Sequence, residues 1–260
     1  MGTQQIRPLG EQIRHWRQRR RLSQMDLALD AEISTRHLSF IETGRAQPSR
    51  EMVLLLAEQL EVPLRERNAM LLGAGYAPVF SERPLDDPQL APARRAVELV
   101  LKGHEPFPAL AIDRHWHMIA ANAAVAPLLD GVADFLLEGP INVLRLSLHP
   151  EGLAPRILNL GEWRAHLLER LRRQAWLTSD PALAALLDEL CGYPSSEGSG
   201  DIDGFGDVAV PLRLESPRGE LRFFSTTTVF GTPRDVTLDE LAIEAFFPAD
   251  AETLARLSAG

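Results

Sequence analysis

Two short helical patterns separated by a tight break constrain the fold of this chain more than any other feature. Ser23 precedes the first pattern and has Asp26 three residues later, which is the spacing of a capping box. Ser34 is placed to cap the second pattern, just after the break. Because each helix would be apolar only where it meets the other, the pair predicts a helix-turn-helix.

The outer face of the second predicted helix carries side chains that form hydrogen bonds. These residues are Thr35, Arg36, His37 and Ser39. Such side chains can reach base edges when the helix lies in the major groove of DNA. Gln24 and the amides at the start of the first helix would then face phosphate. Spacing alone leaves the alternative open, an ordinary helical hairpin with a solvated polar face.

The flanking residues and the distribution of charge favour DNA binding. Further helical patterns on both sides of the pair predict a compact bundle of five short helices. Residues 1–50 carry nine arginines and five acidic residues, a charge of +4, so the other 210 residues carry −13 of the total of −9. A basic segment joined to an acidic one confines phosphate binding to the N-terminal part of the chain.

The segments Leu22–Ala28 and Ser34–Ser49 resemble the phage-repressor-like helix-turn-helix family, and the resemblance extends over residues 6–76. It implies phosphate contact for Gln24, base contact for Thr35, Arg36 and Ser39, and contact near the DNA backbone for Arg45 and Arg50. With the other polar residues of this face, the expected DNA-binding set is Gln24, Ser34, Thr35, Arg36, His37, Ser39, Arg45 and Arg50.

The same resemblance has two implications for the interior of the bundle. It implies an ion pair between Arg17 and Glu42, which would therefore be structural and not read bases. Glu32 stands at a turn position where the family usually has glycine. A positive φ at this residue would cost on the order of 1 kcal/mol.

A proline-rich stretch divides the chain. Four prolines between residues 77 and 92 indicate a semi-rigid connector. We therefore expect a helix-turn-helix domain at 1–76, a linker at 77–92 and a second domain at 93–260, which the length of the chain permits. The single cysteine, Cys191, excludes a disulfide framework and a cysteine-based metal site.

The second domain begins with two short apolar strand patterns, after which Asn122 is placed to cap a helix. Strands are expected at 109–113, 116–121, 208–214, 220–230 and 241–247, and a helix at 238–245 is the alternative to the last of them. Amphipathic helices are expected at 162–176 and 181–191. This order is that of a PAS-like sensor domain. The predicted fold class is α+β, an N-terminal all-α helix-turn-helix bundle followed by a PAS-like antiparallel sheet with helices.

The segments 113–122, 223–233 and 246–250 make nearly the whole chain similar to the MmyB-like transcription regulators. The resemblance implies a sequence-specific regulator whose C-terminal domain binds a small apolar effector, of which a fatty-acid-like molecule is one example. The expected partners are a double-stranded DNA operator, the effector and a second copy of the chain, with recognition helices about 34 Å apart. The alternative is a DNA-binding protein whose C-terminal domain is a protein-interaction module without a small-molecule ligand.

Apolar residues of the second domain are candidates for lining an effector site between sheet and helices. They are Phe107, Leu110, Ile112, Met118, Phe135, Leu144, Leu171, Phe223 and Val229. Each could equally fill an ordinary core, whereas effector sites are mostly apolar with a few polar anchors. The candidate anchors for an acidic group are Thr226, Thr227, Thr228, Arg213 and Arg222, with Thr227 preferred.

The sequence does not favour an enzyme, a metal site or a cofactor. His115 and His117 share one side of a strand but no third ligand at the spacing of a known motif is evident. The aspartates at 201, 203 and 207 lack the spacing and the final glutamate of a calcium loop. No signal-peptide core and no run of 18 apolar residues is present. We therefore expect a cytoplasmic regulator that is not an enzyme.

Overall fold

The computed structural model describes residues 7–194 and 210–258, so the aspartates at 201, 203 and 207 lie outside the described residues. The chain divides into two units. The first comprises residues 1–84 with 232–239, and the second comprises residues 85–231 with 240–260. No sequence signal pointed to the membership of 232–239 in the first unit.

Local capping explains where three helices of the first unit begin. The helices of this unit are α1 (Leu9–Arg19), α2 (Gln24–Asp30), α3 (Thr35–Glu42), α4 (Arg50–Gln59) and α5 (Leu64–Gly73). A short helix much later in the chain, α10 (Val236–Asp239), also belongs to it. Ser23, Ser34 and Ser49 each accept a hydrogen bond from the backbone N–H three residues later, at 3.1, 3.1 and 3.2 Å. Asp26 accepts from the Ser23 N–H at 2.8 Å, which confirms the capping box.

The close approach of α1 to the end of α3 requires a glycine. A Cβ at Gly10 would lie 2.4 Å from the carbonyl oxygen of Glu42 and 2.7 Å from that of Ile41. Ile13, Trp16, Leu27, Leu38 and Leu56 are among the buried residues of the surrounding core. In the turn between α2 and α3, Glu32 has a φ of 53°, so a residue other than glycine adopts a positive φ at this position.

Residues 232–239 are integrated into the first unit through hydrogen bonds. Asp235 forms an isolated parallel bridge with Ser81, and its buried carboxylate accepts from Nη1 of Arg83 at 2.9 Å. The carboxylate of Asp239 accepts from the backbone N–H of Leu64 at 3.1 Å. The residue before α5 is a proline without a side-chain cap, so Asp239 satisfies one amide at the start of that helix.

The second unit is built on a five-stranded antiparallel sheet in the order β2-β1-β5-β4-β3. Its strands are β1 (Ala109–Ile112), β2 (Met118–Ala121), β3 (Leu212–Ser216), β4 (Gly219–Val229) and β5 (Ala242–Pro248). Its longer helices are α6 (Ala91–Gly103), α7 (Val143–Leu148), α8 (Leu160–Thr178), α9 (Pro181–Cys191) and α11 (Ala251–Ser258). The predicted α+β class is confirmed, although α11 was not expected.

Both faces of the sheet are covered, and β1 shows why. Ala109 and Ala111 pack in a cluster with residues of α6, whereas Leu110 and Ile112 pack in the main core with α7, α8 and α9. This period of two assigns alternate residues to opposite faces of the sheet. Among the described helices, none is both long and apolar enough to span a bilayer.

The expectation for Asn122 was wrong, because this residue does not cap a helix. Its buried Nδ2 donates to the carbonyl oxygens of Leu101 and Phe107 at 3.1 and 2.7 Å, and its Oδ1 accepts from the Ala109 N–H at 3.1 Å. A turn follows it in place of a regular helix. Asn122 thus joins β1 to α6, since an asparagine that fits a cap also fits a buried bridge.

Candidate DNA-binding surface and effector cavity

The face of α3 that was predicted to meet DNA is accessible. Thr35 and Arg36 are exposed, and His37 and Ser39 are partly exposed. The guanidinium of Arg36 lies 5.3 Å from the centre of the Phe40 ring, a contact that supports the side chain from one side. Ser34 is also exposed, although its hydroxyl accepts the cap hydrogen bond. This face therefore presents donors and acceptors to the solvent.

A buried carboxylate fixes the orientation of α3. Glu42, whose side chain has no exposed surface, accepts from Nε and Nη2 of Arg17 on α1 at 2.7 and 3.1 Å. It also accepts from Nε2 of Gln24 on α2 at 2.8 Å. The implied Arg17–Glu42 pair is confirmed. The side-chain amide of Gln24 donates to Glu42 in this structure. The contact of Gln24 with phosphate therefore stays a prediction.

The electrostatics of this cluster favour an ionised carboxylate. Burial by itself would raise the pKa of Glu42. The hydrogen bonds from Arg17 and Gln24, with the positive charges of Arg17 and Arg14, outweigh burial and hold this pKa below its ordinary value. Glu42 therefore ties α3 to two neighbouring helices as a charged group.

Two basic residues follow the recognition helix. Arg45 lies in the loop after α3 and Arg50 is the first residue of α4, and both are exposed. Gly44, which precedes Arg45, has a φ of +70° that few other residues adopt readily. The positions are compatible with the predicted contacts near the DNA backbone, which remain predictions.

The second unit contains an apolar cavity, partly open to the solvent, between its sheet and the helices on one face. The centre of a water molecule can occupy a volume of about 90 Å³ in this cavity, so the cavity has room for several waters. The strands contribute Leu110, Leu212, Leu214, Phe223, Ser225, Glu244 and Phe246 to its wall. The remaining wall residues are Pro108, Trp116, Val125, Leu128, Leu129, Val143, Leu144, Leu146, Ser147, Leu153, Trp163, Leu167 and Arg170.

One charged pair interrupts this apolar wall, and we call it the polar pole (Arg170, Glu244 and Thr227). Nη2 of Arg170 lies 2.6 Å from Oε1 of Glu244, a carboxylate that is almost fully buried. Thr227 donates to the same carboxylate at 2.9 Å and accepts from Arg170 at 3.1 Å. The guanidinium also lies 4.9 Å from the centre of the Trp116 ring. The cavity thus combines a large apolar surface with hydrogen-bonding groups at one place, as ligand sites do.

Family comparison agrees with both halves of this description. The model of the MmyB-like transcription regulator ligand binding domain matches residues 93–259, and a helix-turn-helix domain model matches residues 8–70. The chain belongs to the MmyB-like transcription regulators. No curated protein matches it. The families concerned are regulators and not enzymes, and they support a ligand-responsive transcription regulator that binds DNA.

In this MmyB-like regulator, the predicted effector residues lie in different parts of the second unit. Leu110, Leu144 and Phe223 line the cavity, and Thr227 belongs to the polar pole. Ile112, Met118 and Leu171 pack in or against the same core but do not line the cavity. Phe107 is partly exposed and lies beside His104, with ring centres 5.7 Å apart.

Phe135 and Val229 are exposed and do not line the cavity. Phe135 is 53% exposed and packs edge-on against His149, while its neighbour Leu136 is buried. Val229 is 61% exposed, since β4 is exposed from Thr226 onward. Alternation places Val229 on the same face as Phe223 but does not show how far along the strand that face stays covered.

Neither charged residue of the cavity wall, Arg170 or Glu244, was predicted from the sequence, which suggested other residues as anchors for an acidic group. Arg213 and Arg222 form ion pairs with Glu220 on the β3–β4 hairpin, at 2.7 and 2.8 Å, and neither lines the cavity. Arg170 follows Trp163 and Leu167 at spacings of seven and three residues, so helical periodicity could have placed it on their side.

Proposed function

We propose that this protein is a sequence-specific transcription regulator whose second unit binds a small apolar effector with one polar end, a fatty acid being one member of that class. The observation that carries the proposal is the apolar cavity with the single Arg170–Glu244 pair in its wall. An apolar chain would bury its surface against the leucines and aromatic rings, while the polar end would exchange hydrogen bonds with the polar pole.

We further propose that two copies of the chain bind a palindromic operator in the cytoplasm. The exposed face of α3 supplies the base contacts, chiefly through Arg36, and Arg45 and Arg50 contact phosphates. A dimer would place the two recognition helices about 34 Å apart, one turn of the DNA helix. Effector binding then changes the spacing or the mobility of these helices.

Residues 232–239 offer a route for this coupling. They join β4 to β5, the strands that supply Thr227 and Glu244, and yet they belong to the first unit. There, Asp239 accepts from the first amide of α5, and Asp235 pairs with Arg83. A displacement of either strand would pass along the chain to residues 232–239 and then, through the hydrogen bond of Asp239, to α5. A coupling of about 1–3 kcal/mol would change operator affinity about 5- to 150-fold.

The effector proposal is tested by native mass spectrometry of the full chain and by thermal denaturation with straight-chain acids and the matching alcohols. A co-purified apolar molecule, or a rise in Tm with one of these ligands, supports the proposal. No bound mass and no shift across the panel favours the protein-interaction alternative. Conversion of an added ligand to a product would favour an enzyme.

The coupling route is tested by Asp239→Ala, with Asp188→Ala on the exposed face of α9 as the matched control. The Asp239 variant should bind the effector as the wild type does and should lose most of the effector's influence on operator affinity. The control should keep both properties. An unchanged response in Asp239→Ala would show that the signal takes another path.

A further inference from the structure

The turn between β1 and β2 brings three metal-ligating side chains together outside the cavity wall. Asp113, His115 and His117 each offer one ligand atom, and these atoms lie within 4.8 Å of one another. The sequence suggested two histidines without a third ligand, and the structure supplies Asp113. We propose that these three residues bind a divalent transition-metal ion.

The distances require only small movements. Oδ2 of Asp113 and Nδ1 of His117 are 3.0 Å apart. Two donor atoms that are each about 2.1 Å from a zinc ion stand about 3.0–3.4 Å apart. This pair is therefore already at a binding separation, and an ion would replace the hydrogen bond between them. One ring nitrogen of His115 lies within 4.8 Å of the ligand atoms of Asp113 and His117, and the ring is partly exposed, so a rotation can bring it closer.

The backbone of the turn holds the carboxylate in place. Oδ1 of Asp113 accepts from the N–H groups of His115 and His117, both at 2.8 Å, which leaves Oδ2 for an ion. Trp116, between the two histidines, has a φ of 67°, and its Nε1 donates to Oε1 of Gln174 at 2.7 Å. The ligands are thus carried on a turn whose shape does not depend on the ion.

A second carboxylate orients one of the rings. Oδ2 of Asp180 lies 2.9 Å from Nε2 of His115, so Nδ1 is the nitrogen that remains for the metal. Histidines that bind metals commonly donate their other N–H to a carboxylate in this way. Arg114 lies nearby, but its guanidinium lies 3.4 Å from Asp180 and 3.5 Å from Glu240, so its charge is compensated by two carboxylates.

The donor set selects the class of ion. Two imidazole nitrogens and one carboxylate oxygen suit zinc, cobalt or ferrous iron, whereas magnesium and calcium prefer oxygen ligands alone. Three protein ligands leave further coordination positions to solvent. Because Trp116 also lines the cavity, an ion at this turn would stiffen one part of the cavity wall.

The test uses full-length protein without a histidine tag. Titration calorimetry with zinc should show one equivalent bound, and cobalt should give an absorption spectrum with d–d bands. His117→Ala should weaken zinc binding at least 100-fold. His149→Ala, which changes a partly exposed histidine in a different loop, is the matched control and should bind as the wild type does. Circular dichroism of each variant checks the fold.

Asp180→Asn tests the orienting carboxylate separately. Asp180 also caps α9 by accepting from the Ala182 N–H at 2.9 Å, and asparagine keeps that cap. Zinc affinity should fall about 10- to 100-fold. Absence of zinc binding by the wild type, or binding that survives both His117→Ala and Asp113→Asn, would overturn the proposal. Neither result bears on effector binding, which is measured independently.

Discussion

Replacing Glu42 with alanine should destabilise the first unit and disorient the helix that faces DNA. The substitution removes the acceptor of two hydrogen bonds from Arg17 and one from Gln24. Arg17, whose side chain is only 12% exposed, would keep its charge without the carboxylate. Its hydrogen bond from Nη1 to the carbonyl oxygen of Leu22, at 2.9 Å, does not neutralise that charge.

The expected loss is large on the scale of domain stability. Removing one partner of a buried ion pair costs about 3–5 kcal/mol, against a total of about 5–15 kcal/mol for a typical domain. Glu42→Gln should cost less, about 1–3 kcal/mol, because the amide oxygen still accepts hydrogen bonds while the charge is lost. Glu58→Ala, an exposed glutamate of α4, is the matched control and should change stability by less than about 0.5 kcal/mol.

The cluster also predicts a dependence of stability on pH. The pKa of Glu42 is held below its ordinary value in the folded protein, so the folded state favours the ionised carboxylate. Its stabilising contribution is complete above the pKa of the unfolded chain and is lost as pH falls through the lowered folded value. The wild type should therefore lose stability in mild acid more steeply than Glu42→Gln does.

Urea unfolding followed by circular dichroism, at neutral pH and in mild acid, measures both effects, and fluorescence anisotropy measures operator affinity. Glu42→Ala should bind the operator weakly even under conditions where it remains folded. A loss of stability below about 1 kcal/mol would refute the reasoning, since it would show that Arg17 is solvated or paired elsewhere at little cost.

Three further substitutions test the surface, the polar pole and the helix contact. Arg36→Ala should weaken operator binding about 5- to 150-fold, the equivalent of about 1–3 kcal/mol, without changing the circular dichroism spectrum, and an intact footprint would contradict the base-contact assignment. Glu244→Gln should tighten binding of a carboxylic acid relative to its alcohol at least tenfold, because Arg170 loses its competing carboxylate; an unchanged ratio would place the polar end elsewhere. Gly10→Ala should destabilise the first unit by about 1–3 kcal/mol, as measured by urea unfolding, whereas Gly103→Ala, whose added Cβ meets no atom within 4 Å, should not.

Local signals explain why the first unit could be predicted in detail. The serines that cap α2, α3 and α4 act within three residues of the amides they satisfy, so the sequence determines both the start of each helix and the face it exposes. The question of a positive φ at Glu32 arose from the family resemblance, because the family usually has glycine at this position. The Arg17–Glu42 pair spans 25 residues and came from the family resemblance, not from spacing.

The cavity was predictable only in part, because its wall depends on where separate elements meet. Alternation identified Leu110 and Phe223 as inward-facing, and helical spacing would have identified Arg170. Neither period shows where a neighbouring helix ends, so Val229 was assigned to a wall that does not extend to it. The Asp180–His115 contact, across 65 residues, was likewise outside the reach of any local pattern.

The position of the polar pole suggests which part of an effector carries the signal. Thr227 and Glu244 lie on β4 and β5 and face each other in the register of these strands. A polar group that draws Arg170 away from Glu244 rearranges hydrogen bonds on the two strands that residues 232–239 connect. A hydrocarbon that fills only the apolar wall leaves those bonds intact. Ligands of equal length with and without a polar end should therefore both raise Tm, but only the polar one should change operator affinity.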